Sequence, residues 1–402
     1  MTTLTELRGG RIVTPHEVID RGRVVFEGSQ ITRVGQTTRE SRSDTRTIDV
    51  DDSVVFPGLV DIHGDDIERH LFPRSGARID ADTALATADR SNLLNGVTTK
   101  FHAVAFEDAP GDDRTFEDAE EIARAIAEST YTLGDNRLHA RCELTERSAG
   151  AVERVADTVG LDLLSVMHHA PGEGQFDREE FDRHYLENRD WSPERVDRAV
   201  AERTDLSRST RDELITRIAD LAADADVSLA SHDDETAGAV DRMFGHGAAI
   251  SEYPLTEAAA QRASELGMTT AMGAPNLVRG ESLWDNLSAR EALQAGYLDV
   301  LCADYHPPSL LSAPFIETGE PLPTRVNRVT KAPAEAVGLS DRGRIEVGAR
   351  ADLVVVDPGP PPTVERVFVA GTEALATGDN PGQRSGKRAQ PITRGGSSIR
   401  DQ

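Results

Sequence analysis

Two textures of apolar and polar positions divide the chain. From about residue 10 to residue 50, short apolar runs alternate with polar residues at 11–13, 23–26, 31–34 and 47–50, separated by Gly, Pro and Asp. This spacing predicts short antiparallel strands. The same texture returns near the other end, at 343–348, 351–357 and 364–369. Between them lie eight apolar runs, at 59–63, 98–104, 138–144, 161–169, 227–232, 248–253, 269–273 and 298–303. Stretches of helical periodicity at 115–129, 211–225, 255–266 and 288–295 separate several of these runs. Strands alternating with helices predict an α/β fold, a (β/α)8 barrel of the TIM type, whose functional residues gather at the C-terminal strand ends.

The partition that follows places one part of a small β-sandwich domain at 1–56, the barrel at 57–335 and the other part of the sandwich at 336–376. A polar tail at 377–402 is expected to be disordered. A charged insertion at 176–208, after the fourth run, is expected to act as a lid or an interface.

Charge narrows the choice of partners. Among 402 residues, 70 acidic side chains face 44 basic ones, a net charge of −26, and the only lysines are Lys100, Lys331 and Lys387. Such a surface suits a halophile's salty cytoplasm, where screening relieves self-repulsion. It disfavours nucleic acid and anionic membranes, which attract basic patches. An anionic substrate therefore needs a local cluster of Arg, His or metal. Cys142 and Cys302 sit in apolar runs and imply no disulfide framework. No secretory leader or membrane-spanning run is visible, so a cytoplasmic location is expected. Homo-oligomerisation is left open.

The chemistry starts at Val54-Val55-Phe56-Pro57-Gly58-Leu59-Val60-Asp61-Ile62-His63-Gly64-Asp65. Strand side chains alternate faces, so His63 and Asp65 are expected to point the same way and chelate one ion. The other run ends supply Lys100 and His102, Glu143, His168 and His169, His232 with Asp233 and Asp234, and Asp304. A single strand-end histidine is often satisfied by hydrogen bonds. This many ligand-type residues at one end of a barrel points to metal.

The order Phe56-Pro57-Gly58-Leu59-Val60-Asp61-Ile62-His63, later strand-end histidines, a last-strand Asp304 and a split sandwich resembles the amidohydrolase superfamily. Five further segments resemble the PhnM-like α-D-ribose 1-methylphosphonate 5-triphosphate diphosphatases of phosphonate metabolism. They are His63-Gly64-Asp65-Asp66-Ile67-Glu68-Arg69-His70-Leu71-Phe72-Pro73-Arg74, His169-Ala170-Pro171-Gly172-Glu173-Gly174-Gln175-Phe176, Ala230-Ser231-His232-Asp233-Asp234-Glu235-Thr236, Gly273-Ala274-Pro275-Asn276-Leu277-Val278-Arg279-Gly280 and Ala303-Asp304-Tyr305.

The resemblance implies two divalent ions, Zn, Mn or Fe, held by His63, Asp65, Glu143, His169, His232 and Asp304. Glu143 would bridge them, with Lys100 as the competing bridge and Lys100→Met expected to be tolerated. Asp304 would take a proton from water, and Asp233, Asp234 and Glu235 would orient His232. Arg69, His70, Arg74, Asn276 and Arg279 would bind a phosphorylated ribosyl phosphonate. The implied reaction is hydrolysis of its triphosphate to the 5-phosphate and pyrophosphate. Two alternatives stand beside it: hydrolysis of a cyclic amide or N-acyl bond, and an inactive amidohydrolase-like scaffold.

Overall fold

In the computed structural model, residues 4–37, 45–74, 76–107, 115–168, 207–282 and 286–377 are described. His169 and nearly all of the 176–208 insertion lie outside them. The N-terminal text forms β1 (Leu4–Arg8), β2 (Arg11–Val13), β3 (Val18–Ile19), β4 (Gly22–Glu27), β5 (Gln30–Gln36), β6 (Thr45–Asp49) and β7 (Val54–Pro57). The eight middle runs become β8 (Leu59–Gly64), β9 (Val97–Phe106), β10 (Asp135–Glu143), β11 (Leu163–Met167), β12 (Leu229–His232), β13 (Ile250–Glu252), β14 (Thr269–Gly273) and β15 (Val300–Cys302). β16 (Leu353–Asp357), β17 (Thr363–Val369) and β18 (Thr372–Ala376) complete the strands.

The middle strands pair in the order β15-β14-β13-β12-β11-β10-β9-β8, all parallel. A parallel bridge between Gly64 and Asp304 brings the two edges together, so the sheet closes on itself. Val60, Ile62, Phe101, Leu163, Ala230, Ile250, Ala271, Val300 and Cys302 fill the interior, with Ala334 from the helix Lys331–Ala336. This is a packed core, as the TIM-type barrel requires. Most of the outer helices start on a Thr or Ser whose hydroxyl accepts an early backbone N–H: Thr115, Thr145, Thr236, Thr256 and Ser288. Each cap contributes about 1 kcal/mol.

The end segments build two further sheets, ordered β5-β4-β1-β6 and β18-β17-β16-β7-β2-β3. The second joins both ends of the chain, with Phe56 opposite Val354 in the antiparallel β7–β16 pair. Val54, Phe56, Val354 and Val356 pack in the cluster that contains the barrel's outer residues, whereas Val55, Leu353 and Val355 pack against the four-stranded sheet. Burial on both faces explains why these strands read as unbroken apolar runs. One expected strand is absent: 343–348 is turn, with Gly343 and Gly348 at φ 75° and 92°. Both cysteines are free and buried. No helix among the described residues is long and apolar enough to cross a membrane.

Candidate metal centre and active site

β8 reaches the barrel mouth through an irregularity. Its ladder with β9 shifts between Asp61 and Gly64, so strict alternation does not govern the His63 motif. Bulges of this kind re-aim side chains beside active sites. Asp61 sits beneath the shift and accepts backbone N–H groups from His63 at 3.3 Å and Ala303 at 2.9 Å. It ties the first barrel strand to the last.

Glu252, at the end of β13, organises the histidines. His63 Nδ1 lies 3.1 Å from its Oε1 and His232 Nδ1 lies 3.3 Å from its Oε2. The two rings stack, with centroids 5.2 Å apart and planes 14° apart. With both Nδ1 atoms turned to Glu252, the Nε2 atoms face away from it, that of His232 towards Arg141 and Asp233. The bond from His232 fixes its tautomer and orientation for metal binding, whereas His63 Nδ1 stands close to Glu252 Oε1 without a directed hydrogen bond. Burial pushes the Glu252 carboxyl up, but His63, His139 and the bond from His232 pull it well below the usual range.

His139 is also close, with Nε2 3.9 Å from Glu252 Oε2. Its ring is already committed. Nδ1 donates to Ile62 O at 2.9 Å, which leaves Nε2 to accept from Ser165 Oγ at 2.9 Å. Burial lowers His139 to about 3 and also lowers His232, so both imidazoles are neutral at pH 7. Neutral imidazole is the form that binds metal. Although His63, His139 and Glu252 lie close enough to hold an ion together, the bonding makes His139 the floor of the site.

Three mouth residues adopt a left-handed backbone without being glycine: Asp233 (φ 60°), Tyr253 (φ 53°) and Asp304 (φ 54°). Each follows a barrel strand and donates its N–H to the next strand around, to Glu252 O, Ala271 O and His63 O respectively. Such backbone costs of order 1 kcal/mol per residue and clusters at functional sites. Here it turns three side chains over the mouth. The Tyr253 ring packs edge-on to His63 and His232, and its buried hydroxyl makes no hydrogen bond. Gly273 leaves room for Asp304, because a Cβ there would come within 3.1 Å of Asp304 Oδ2.

The remaining expected ligands take two places. Asp65 follows β8, and its buried Oδ1 makes no hydrogen bond. Burial and the neighbouring Asp65 raise the Asp304 carboxyl to about 7. Glu143, at the end of β10, is buried, and His168 Nδ1 approaches its Oε1 at 3.7 Å. Thus His168, given no role in the sequence reading, faces Glu143. His169 lies outside the described residues. Two neighbouring part-buried carboxylates that repel each other, an unbonded carboxylate oxygen and the neutral His232 imidazole make a donor set that a divalent cation fits.

Lys100 is engaged elsewhere. Its ammonium is buried between Asp61 at 2.7 Å and Asp66 at 2.6 Å. Burial works against its charge, but the two carboxylates outweigh it and hold Lys100 above the ordinary lysine range. Gly64 makes space for it, since a Cβ there would lie 1.8 Å from Nζ. Asp233 comes within 3.5 Å of His232 Nε2, while Glu252, which was not among the residues expected to orient His232, takes its Nδ1.

At the rim, Arg69 donates to Tyr305 O at 3.3 Å and lies over the Tyr305 ring at 5.7 Å. Arg279, at the end of the helix Ala274–Arg279, donates to Glu281 at 3.3 Å and lies within electrostatic reach of Tyr305. The helices after β8 and β14 thus each carry an arginine to the neighbourhood of the residue that follows Asp304. Asn276 lies half-buried on that same helix. His70 lies 4.0 Å from Asp66, and Arg74 is exposed in a turn bridged to Ala77. Neither His70 nor Arg74 joins Tyr305.

The sequence reading missed Glu252, Tyr253, His139, Arg141 and Asp61. Glu252 and Tyr253 end the sixth apolar run, so the strand-end rule that selected His232 selects them too. His139 and Arg141 share the parity of Glu143 along β10.

A cation at such a mouth serves to activate water against a bound substrate, which places the protein among the metal-dependent hydrolases. An amidohydrolase family model matches residues 288–381. α-D-Ribose 1-methylphosphonate 5-triphosphate diphosphatase of Escherichia coli (strain K12) is 33% identical over 344 residues, 82% of this chain and 91% of the relative. 5-Methylthioadenosine/S-adenosylhomocysteine deaminase of Halobacterium salinarum is 25% identical over 393 residues, 89% of this chain and 85% of the relative. Among solved structures, A. niger ochratoxinase shares the fold with TM-score 0.64 and 18% identity, over 96% of this chain and 99% of that one. The chain belongs to the amidohydrolase superfamily and, within it, to the family of PhnM-like proteins.

Proposed function

We propose that the protein hydrolyses α-D-ribose 1-methylphosphonate 5-triphosphate to the 5-phosphate and pyrophosphate. The activity named for the Escherichia coli relative supports this reading. The observation that carries it here is the placement of Arg69 on Tyr305, beside Asp304, with Arg279 in electrostatic reach of the same tyrosine. On a chain of net charge −26, two arginines brought together from separate helices at the mouth suit a polyanion. Arg74, His70 and Asn276 would extend that surface.

His63, Asp65, Glu143, His169, His232 and Asp304 would hold the divalent metal. When bound, the cation lowers the pKa of water to about 7 and offsets negative charge on phosphorus. Glu252 keeps the His63 and His232 rings aligned. Asp304 accepts the proton of the attacking water. The water oxygen bonds to the phosphorus nearest the ribose, the bond to the next phosphate breaks, and pyrophosphate leaves. The arginines hold the departing phosphates, and little covalent work is left to the protein.

Phosphorus NMR of the metal-supplemented protein with the ribosyl triphosphate tests the reading. Equal appearance of pyrophosphate and the 5-phosphate is the expected result. An unchanged phosphorus spectrum alongside cleavage of a cyclic amide would defeat it. A second expectation concerns one of these ligands: Glu143→Gln should lose bound metal and turnover together. Full metal content by elemental analysis in that variant would remove Glu143 from the ligand set.

A further inference from the structure

β10 presents three side chains to the barrel interior at a period of two: His139, Arg141 and Glu143. The first is spent on Ile62 and Ser165, and the last sits beside His168. Arg141, between them, is 8% exposed. Among the described residues its one polar contact is Nη2 donating to His232 Nε2 at 3.3 Å, and its buried Nε makes no hydrogen bond.

A guanidinium carries five N–H donors in a rigid fork, has no acceptor and stays protonated in proteins. Arg141 acts on the Asp304 carboxylate electrostatically but makes no ion pair with a carboxylate among the described residues, and a buried guanidinium in that state is unfavourable unless an anion completes it. The acceptor it touches is His232 Nε2, the ring nitrogen turned away from Glu252, which also lies 3.5 Å from Asp233. Once His232 serves a cation, Arg141 has no hydrogen-bond acceptor left among the described residues.

We infer that Arg141 is an anion-binding residue inside the mouth, contacting the non-bridging oxygens of the phosphoryl group that is attacked. This rests on the diphosphatase reading and extends it. Arg69 and Arg279 take the leaving phosphates at the rim, and Arg141 holds the reacting one within. A neutral amide carbonyl offers such a fork only one oxygen, whereas a phosphoryl group offers two, so Arg141 also favours phosphoryl over amide substrates.

The test is calorimetric titration of the metal-loaded, full-length protein with inorganic phosphate, with bound metal measured in parallel. Arg141→Met should keep its metal and bind phosphate about 10- to 100-fold more weakly, the range for a lost hydrogen-bonded charge. Arg141→Lys, which keeps the charge but not the fork, should fall between. Equal phosphate affinity in Arg141→Met, or no phosphate binding by the wild type, overturns the inference. Loss of metal along with affinity does so too, because it reduces Arg141 to a support for His232. If Arg141→Met does not fold, Arg141→Lys decides, and wild-type affinity there is fatal. Failure of the diphosphatase reading registers separately, as an unchanged phosphorus spectrum with wild-type protein.

Discussion

Asp304→Asn is expected to lower kcat by about 10²–10⁴-fold, the range for removing a positioned general base. The substitution keeps the shape and leaves the backbone N–H bond to His63 O in place, so the barrel closure should survive. Proton acceptance is what disappears. Burial and Asp65 raise this carboxyl to about 7, and only its ionised form can accept a proton. Wild-type activity should therefore fall as pH drops through the group's pKa, and a bound cation moves that limb to lower pH. The Asn variant should show a flat residual rate across the same range. Rate–pH profiles with metal content measured in parallel decide the matter. A variant within tenfold of wild type, or one retaining the acid limb, assigns the proton to another group.

The fold was readable because its signals are local and repeated. Eight apolar runs became eight barrel strands, and the two β-textured ends met in one sheet through β7 and β16. The 343–348 run misled because its apolar alternation is flanked by glycines whose positive φ makes it turn. At the candidate site, residue type and strand-end position were what singled out His63, Glu143, His232 and Asp304 in the sequence. Other parts depended on tertiary geometry. His63 and Asp65 were placed by strict alternation, yet the ladder shifts between Asp61 and Gly64. Arg69 and Arg279 were named singly, and nothing in their spacing indicates that both reach Tyr305. Glu252 ends the sixth apolar run and so was open to the strand-end rule, but its place between His63 and His232 is visible only in the fold.

Lys100 shows the largest departure from the sequence reading, which treats it as a dispensable rival of Glu143. Its role follows from three buried charges. The ammonium lies between Asp61, which holds the His63 and Ala303 backbones, and Asp66, which precedes the helix Ile67–Leu71. That helix carries Arg69 and His70, so one side chain links the metal end of β8 to the rim. Removing the cation would leave two buried carboxylates uncompensated, although Asn92 still donates to Asp66 at 3.1 Å. Breaking a buried ion pair from one side costs about 3–5 kcal/mol. Lys100→Met is therefore expected to lower the unfolding free energy by that amount in denaturant titration. Adding Asp66→Asn should restore part of the loss, because a neutral amide no longer needs the ammonium. The same double variant should bind metal like wild type yet have a raised KM, since the helix bearing Arg69 loses its anchor. If Lys100→Met unfolds at the wild-type midpoint, the triad does not support the site, and a metal-bridging lysine returns to consideration.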